Sequence, residues 1–183
     1  GTQMAQDELE LASDQGNLLN LEKVGKDAAM ADEIFGLVGK SQFFSEFSRE
    51  DVFLLAGHMD VYRAQPGDII IREGDVGDFM LLVIEGEVDI LKKGARGEQQ
   101  HMTSVGLGLT LGEMSMIDGE PRFATCLATR PTVFAVLTRD NMAKIILDHP
   151  GLGSKILVKL VTMLSLRLRQ TSAKLLNYME SGR

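Results

Sequence analysis

Between Val61 and Thr138 short β-branched and aromatic runs alternate with glycine-rich turns at roughly ten-residue spacing, a pattern that restricts this part of the chain to an antiparallel sandwich or barrel. The expected strands are Asp60–Ala64, Ile69–Arg72, Phe79–Glu85, Glu87–Lys92, Gln100–Val105, Phe123–Ala128 and Val133–Thr138. The punctuating turns are Pro66-Gly67, Gly74 to Gly77, Gly86, Gly94 to Gly97 and Gly106 to Gly108. The expected fold class is mainly β with flanking helices: an antiparallel β-roll or jelly roll (a double-stranded β-helix) followed by a long C-terminal helix.

One stretch interrupts the strand pattern. Leu111 to Thr125 reads LGEMSMIDGEPRFAT. Gly112 lets the backbone approach a ligand closely because it has no Cβ. Glu113, when ionised, can only accept hydrogen bonds and suits a hydroxyl-bearing partner. Met114 to Ile117 fits one helical turn whose free N–H groups point at an anion. Arg122 offers a planar fork of donors matched to a phosphate. A carboxylate that reads hydroxyls and a guanidinium that reads phosphate, within one loop, describe a receptor for a sugar phosphate. The competing explanation is a surface ion pair, which contributes only about 0–1 kcal/mol.

The helices are expected around the roll. Ser48 caps a short helix that ends near Gly57, and Thr138 caps another over Arg139 to Asp148. Lys26 to Val38 reads as a helix with an apolar face. The residues before it, up to Gly25, read as weak helical pieces or partly disordered sequence. After the break at His149-Pro150-Gly151 a long helix runs from about Leu152 to Met179. Leu157, Val161, Leu164, Leu168, Thr171 and Leu175 recur at separations of four and three, a heptad seam that wants a partner helix. A second copy of the chain is the simplest partner, giving a two-fold homodimer. The alternative is that the stripe packs on its own roll. Three units follow: an acidic N-terminal extension over 1–40, a ligand-binding roll over 41–150 and a C-terminal dimerisation helix over 151–183.

The cassette G-E, seven residues, P-R-F-A-T resembles the phosphate-binding cassette of cyclic nucleotide-binding domains, and the run PGDIIIREGDVGDFMLLVIEGEVDILKK resembles their first strands. The resemblance covers about residues 40–179. It implies that Glu113 takes the ribose 2′-hydroxyl and Arg122 the cyclic phosphate. Gly112 and the backbone around Met114, Ser115, Phe123 and Ala124 would complete the cradle. The residue after the arginine is usually small in that family, whereas here it is Phe123. A backbone contact survives that change, a side-chain hydroxyl contact does not, and the ring narrows the pocket. Arg167-Leu-Arg-Gln-Thr171-Ser172 resembles the dimer helix of bacterial Crp/Fnr-like cyclic-AMP receptors, where an adjacent Thr-Ser pair reads the adenine edge. The resemblance implies that Thr171 serves its own site and Ser172 the partner's, with cyclic AMP favoured over cyclic GMP. The implied function is a bacterial cyclic nucleotide receptor that couples ligand binding to the dimer helix and passes the signal to a protein effector. The alternatives are the ligand-binding part of a Crp/Fnr-type transcription regulator without its helix-turn-helix domain, or a degenerate dimerisation domain that binds nothing. A cyclic dinucleotide also remains open as the ligand.

Other chemistries find little support. His58, His101 and His149 are scattered, with no ligand-spaced partners for a metal. Cys126 is the single cysteine, lies in a strand-like run and has no paired base, so neither a disulfide framework nor a thiol nucleophile is indicated. No nucleophile elbow, P-loop or dinucleotide fingerprint occurs, so no enzyme, catalytic residue or metal is expected. The net charge of −7 argues against broad nucleic-acid affinity. Residues 1–60 hold twelve acids and four bases, whereas 151–183 hold six bases and one acid. With no stretch of about 18 apolar residues and no signal peptide, a cytoplasmic location away from membranes is expected.

Overall fold

The computed structural model describes residues 14–25 and 42–182, together with Asp32 and Gly36. The helix expected over 26–38 lies outside the described residues. In chain order the elements are α1 (Asp14–Leu19), β1 (Glu22–Gly25), a single 3-10 turn (Gln42–Phe44), α2 (Arg49–Gly57), β2 (Asp60–Ala64), β3 (Ile69–Ile71), β4 (Phe79–Glu85), β5 (Val88–Lys93) and β6 (Gln99–Val105). There follow β7 (Thr110–Leu111), α3 (Glu113–Asp118), β8 (Thr125–Ala128), β9 (Thr132–Thr138), α4 (Arg139–Asp148) and α5 (Pro150–Ser181).

The strands pair antiparallel in two sheets, ordered β1-β2-β9-β4-β7 and β3-β8-β5-β6. Side-chain alternation assigns the two faces of the first sheet. Phe79, Leu81 and Val83 of β4, with Phe134 and Val136 of β9, join Ile70, Val88, Cys126 and Ala128 in a core between the sheets. Met80, Leu82 and Ile84, with Val133, Ala135 and Leu137, face outward into a second core built by the helices. Strand β4 is therefore buried on both faces, which is why it reads as an unbroken apolar run rather than an alternating one. At the turn between β4 and β5, Gly86 has φ 101°, and a Cβ there would lie 2.5 Å from the Pro131 carbonyl oxygen. No other residue fits that corner.

The second core fixes the helices. Ser48 and Asp51 form a capping box at the start of α2: the Asp51 N–H donates to Ser48 Oγ at 3.1 Å, and the Ser48 N–H donates to Asp51 Oδ2 at 3.0 Å. Phe43, Phe44 and Phe47 pack edge-to-face or tilted, with centroids 4.9–5.8 Å apart, under Val52 and Leu55 of α2. Pro150 occupies the first turn of α5, where its missing N–H costs nothing. Leu152, Ile156 and Leu160 anchor that helix in the core. Lys155 adds an ion pair to Asp51 at 2.6 Å. Beyond Leu164 every described residue of α5 is exposed, so its second half projects from the roll.

Two strands escape the sequence pattern. β1 adds to the edge of the first sheet, with Glu22 opposite Arg63 and ion-paired to it at 3.2 Å. The short β7 pairs with Leu81 and Leu82 immediately before the cassette.

Candidate functional site

The loop from Leu111 to Thr125 sits where β7 leaves the first sheet and β8 enters the second. Gly112 is the N-cap of α3 and adopts φ 78°, a left-handed conformation. A Cβ on it would lie 2.6 Å from Arg122 Nη1 and 3.0 Å from the Phe79 carbonyl oxygen. The glycine thus serves both the turn and the approach of the arginine.

Arg122 is buried, 4 % exposed. Its Nη1 donates to the Gly112 carbonyl at 2.9 Å, and its Nη2 donates to the Phe79 carbonyl. The guanidinium lies 4.7 Å from the centroid of the Phe79 ring, a cation–π contact. Its backbone is clamped as well. The Arg122 N–H donates to the Asp75 carbonyl, and the Gly74 N–H donates to the Arg122 carbonyl, each at 2.8 Å. Glu113, at 2 % exposed, opens α3. Thr110 Oγ1 donates to its Oε1, and Arg167 on α5 donates from Nη1 to its Oε2 at 3.0 Å and from Nη2 to its Oε1 at 3.5 Å. A buried carboxylate needs such partners, because an unpaired charge away from water is costly. The middle of α5 is thereby tied to the cassette.

The remaining expected residues divide into two groups. Gly112, Glu113, Ser115 and Arg122 are drawn together at the Gly112 turn, with Ser115 buried and Met114 exposed on α3. Ala124 follows Phe123 into β8. Phe123 points its ring outward, 59 % exposed, with Lys92 Nζ 4.1 Å from its centroid and donating to its carbonyl at 2.8 Å. Lys92 also pairs with Glu73 at 3.2 Å. The Lys93 backbone N–H is the main influence that lowers the Glu73 carboxyl, against partial burial and together with Lys92. Thr171 and Ser172 lie one helical turn past Arg167, on the exposed part of α5. The seam residues Leu157, Val161, Leu168 and Leu175 are 39–67 % exposed on the same helix.

Arg167, Thr110 and Lys92 join the expected residues at this site. Arg167 was detectable: it precedes Thr171 by four positions and so shares its helix face. Thr110 gave no signal, because its role rests on a two-residue strand. Among the described residues no group of three or more His, Cys, Asp or Glu side chains is placed to hold a metal. No helix among them is long and apolar enough to cross a membrane.

The two-sheet roll thus carries a buried carboxylate and a buried arginine at one glycine turn, with a helix tied to that carboxylate. The comparisons with known proteins make the class specific. The cyclic nucleotide-binding domain family model matches residues 61–149. A solved cyclic nucleotide-binding domain from Methylobacillus flagellatus KT is 38% identical and superposes with a TM-score of 0.78, covering 92% of this chain and 93% of that one. The catabolite activator protein of Thermus thermophilus is 27% identical with a TM-score of 0.68, covering 74% of this chain and 62% of that one. The cAMP-dependent protein kinase regulatory subunit of Yarrowia lipolytica is 29% identical over 121 residues, 66% of this chain and 31% of the relative. The chain belongs to the cyclic nucleotide-binding domain family and is related to the Crp-like receptors. It spans 22–31% of the length of the kinase regulatory subunits that it matches.

Proposed function

We propose that this chain is a cyclic nucleotide receptor module, with cyclic AMP its preferred ligand, whose occupancy is transmitted through α5. The observation that carries the reading is the dual role of Glu113: a buried carboxylate in the cassette that is also the attachment point of α5 through Arg167. The ribose 2′-hydroxyl would donate to Glu113, whose two oxygens hold more lone pairs than Thr110 and Arg167 use. The cyclic phosphate would draw the Arg122 fork from the Gly112 and Phe79 carbonyls, because an ionised acceptor is the stronger partner. Gly112 and the backbone of Met114, Ser115, Phe123 and Ala124 would line the phosphate. Ligand and helix then act on one carboxylate, so each stabilises the docked position of the other, and the helix population shifts.

Preference for the adenine ring would rest on Thr171 in its own site and, across a homodimer, on Ser172 in the partner's. The seam of Leu157, Val161, Leu164, Leu168 and Leu175, exposed at every position but the half-buried Leu164, supports that homodimer. In this reading residues 41–150 bind the ligand, and 151–183 dimerise and transmit. The module acts in the cytoplasm on a protein effector, as a receptor rather than an enzyme. The relationship to the Thermus activator favours a second reading, in which the module serves a transcription regulator.

Calorimetry with cyclic AMP, cyclic GMP and cyclic di-GMP on the wild type and on Arg122→Ala tests the proposal. Cyclic AMP is expected to bind most tightly. Loss of a two-pronged charged contact, at about 1.5–3 kcal/mol per hydrogen bond, should weaken it by about 100-fold or more. Absence of heat with all three ligands would leave only a degenerate dimerisation domain. Equal binding by Arg122→Ala would remove the arginine from the site.

A further inference from the structure

A cavity of about 500 Å³ lies between the middle of α5, the turn before β7 and the aromatic corner at Phe43. Small-molecule sites typically measure about 300–1,000 Å³. The Arg167–Glu113 pair stands between this cavity and the cassette: Arg167 lines the cavity, while Glu113 belongs to the ligand loop. We propose that the cavity is a second binding site, for an elongated amphipathic anion: an apolar chain carrying a carboxylate.

The lining dictates that class. Phe43, Leu109, Met163 and Leu166 supply apolar walls, and the two charged side chains present, Lys159 and Arg167, are both cations. They are eight residues apart on one helix, about 12 Å along its axis, so a chain fits between them with its anionic end at one cation. Lys159 is largely buried, its side chain 17% exposed. Its Nζ sits 3.1 Å from Ser45 Oγ and 3.7 Å from Glu46, a carboxylate that is itself 74% exposed. A solvated pair of that kind is weak and exchanges readily for a better-held anion. Arg167 uses Nη1 and Nη2 toward Glu113, and a guanidinium carries five N–H donors in all, so it can meet a second anion without releasing the first.

An occupant of the cavity touches α5 over the turns that Arg167 ties to Glu113. It therefore favours the same docked helix as the cyclic nucleotide, and the two ligands strengthen each other reciprocally. This coupling rests on the receptor reading above; binding at the cavity does not.

The test uses decanoate as the probe and decanol as its neutral counterpart, with binding to the full chain followed by calorimetry without nucleotide. Decanoate is expected to bind saturably at one site per chain. Filling the cavity with Met163→Trp should weaken it by about tenfold or more, since a packed space does not accept the same volume twice. Leu166→Trp is the second filling variant should the first fail to fold. Lys159→Met should weaken decanoate but not decanol. Three results would overturn the site: no saturable binding, binding untouched in the folded Trp variants, or decanol binding as tightly as decanoate. Saturating decanoate should also raise cyclic AMP affinity by about fivefold or more. Unchanged cyclic AMP affinity would refute the coupling. Decanoate binding in a protein that takes no cyclic nucleotide would refute the receptor reading and sustain the cavity.

Discussion

Replacing Arg167 by alanine isolates the link between α5 and the cassette. The side chain makes one well-placed charged hydrogen bond to Glu113, at 3.0 Å, and a second contact at 3.5 Å that lies at the limit of a hydrogen bond. One such bond contributes about 1.5–3 kcal/mol. Arg167 is 49% exposed and Glu113 3%, so the arginine keeps much of its hydration and the gain is discounted toward the lower end, about 1–2 kcal/mol. If, as proposed, ligand binding draws on this held carboxylate, the loss of cyclic AMP affinity reaches at most about 5- to 30-fold. Arg167→Lys should recover part of it, since an ammonium carries the charge without the fork. Calorimetry on Arg167→Ala, Glu113→Gln and the double variant measures the pair. If Arg167 acts by holding Glu113, the two losses are not additive, and the arginine deletion costs little once the carboxylate is gone. Additive losses would refute the link, as would Arg167→Ala binding within twofold of wild type. A merely structural arginine would lower thermal stability equally with and without ligand. A positioning arginine should instead shrink the stabilisation that cyclic AMP confers.

Leu168 lies on the exposed seam of α5, 67% exposed, and Leu168→Glu should convert a sedimenting dimer to monomer; a wild-type chain that runs as monomer at all concentrations would refute the seam. Ser172→Ala should weaken cyclic AMP by about fivefold, the worth of one hydrogen bond, with cyclic GMP unchanged; equal losses for both ligands would refute base reading. Stability should also depend on pH through Asp51. Burial raises its carboxyl, but hydrogen bonds from Lys155 and Ser48, with the Lys155 charge, outweigh this and hold it below its ordinary value. A carboxyl depressed in the folded state stabilises above its unfolded value, near 3.9, and that contribution fades as pH falls through the folded value. Urea unfolding from pH 6 toward pH 2 should show this loss, and Asp51→Asn should reduce the slope; identical slopes would refute it.

The roll was legible because its strands carry their own signals. Phe79–Glu85 and Asp60–Ala64 have the expected bounds, since β-branched and aromatic runs end at residues that only turns tolerate. The capped starts of α2 and α4 were equally local, each written in one side chain three residues before the N–H it accepts from, Ser48 and Thr138. The strands β1 and β7 were not legible, because a strand of four or two residues is held by its neighbour's edge and not by its own propensity. The candidate site divides along the same line. Gly112, Glu113 and Arg122 share one loop, so their spacing keeps them close, and contacts to Phe79 and Asp75 then fix the arginine. The partner of Glu113 comes from a helix more than fifty residues away, and no local pattern encodes a contact that arises only when the outer face of β4 docks α5. The part of the site proposed to bind is thus largely local in sequence, and the part proposed to transmit is made by tertiary packing. A substitution in the docked turns of α5, at Ile156 or Leu160, should therefore alter the response to ligand while leaving the cassette itself intact.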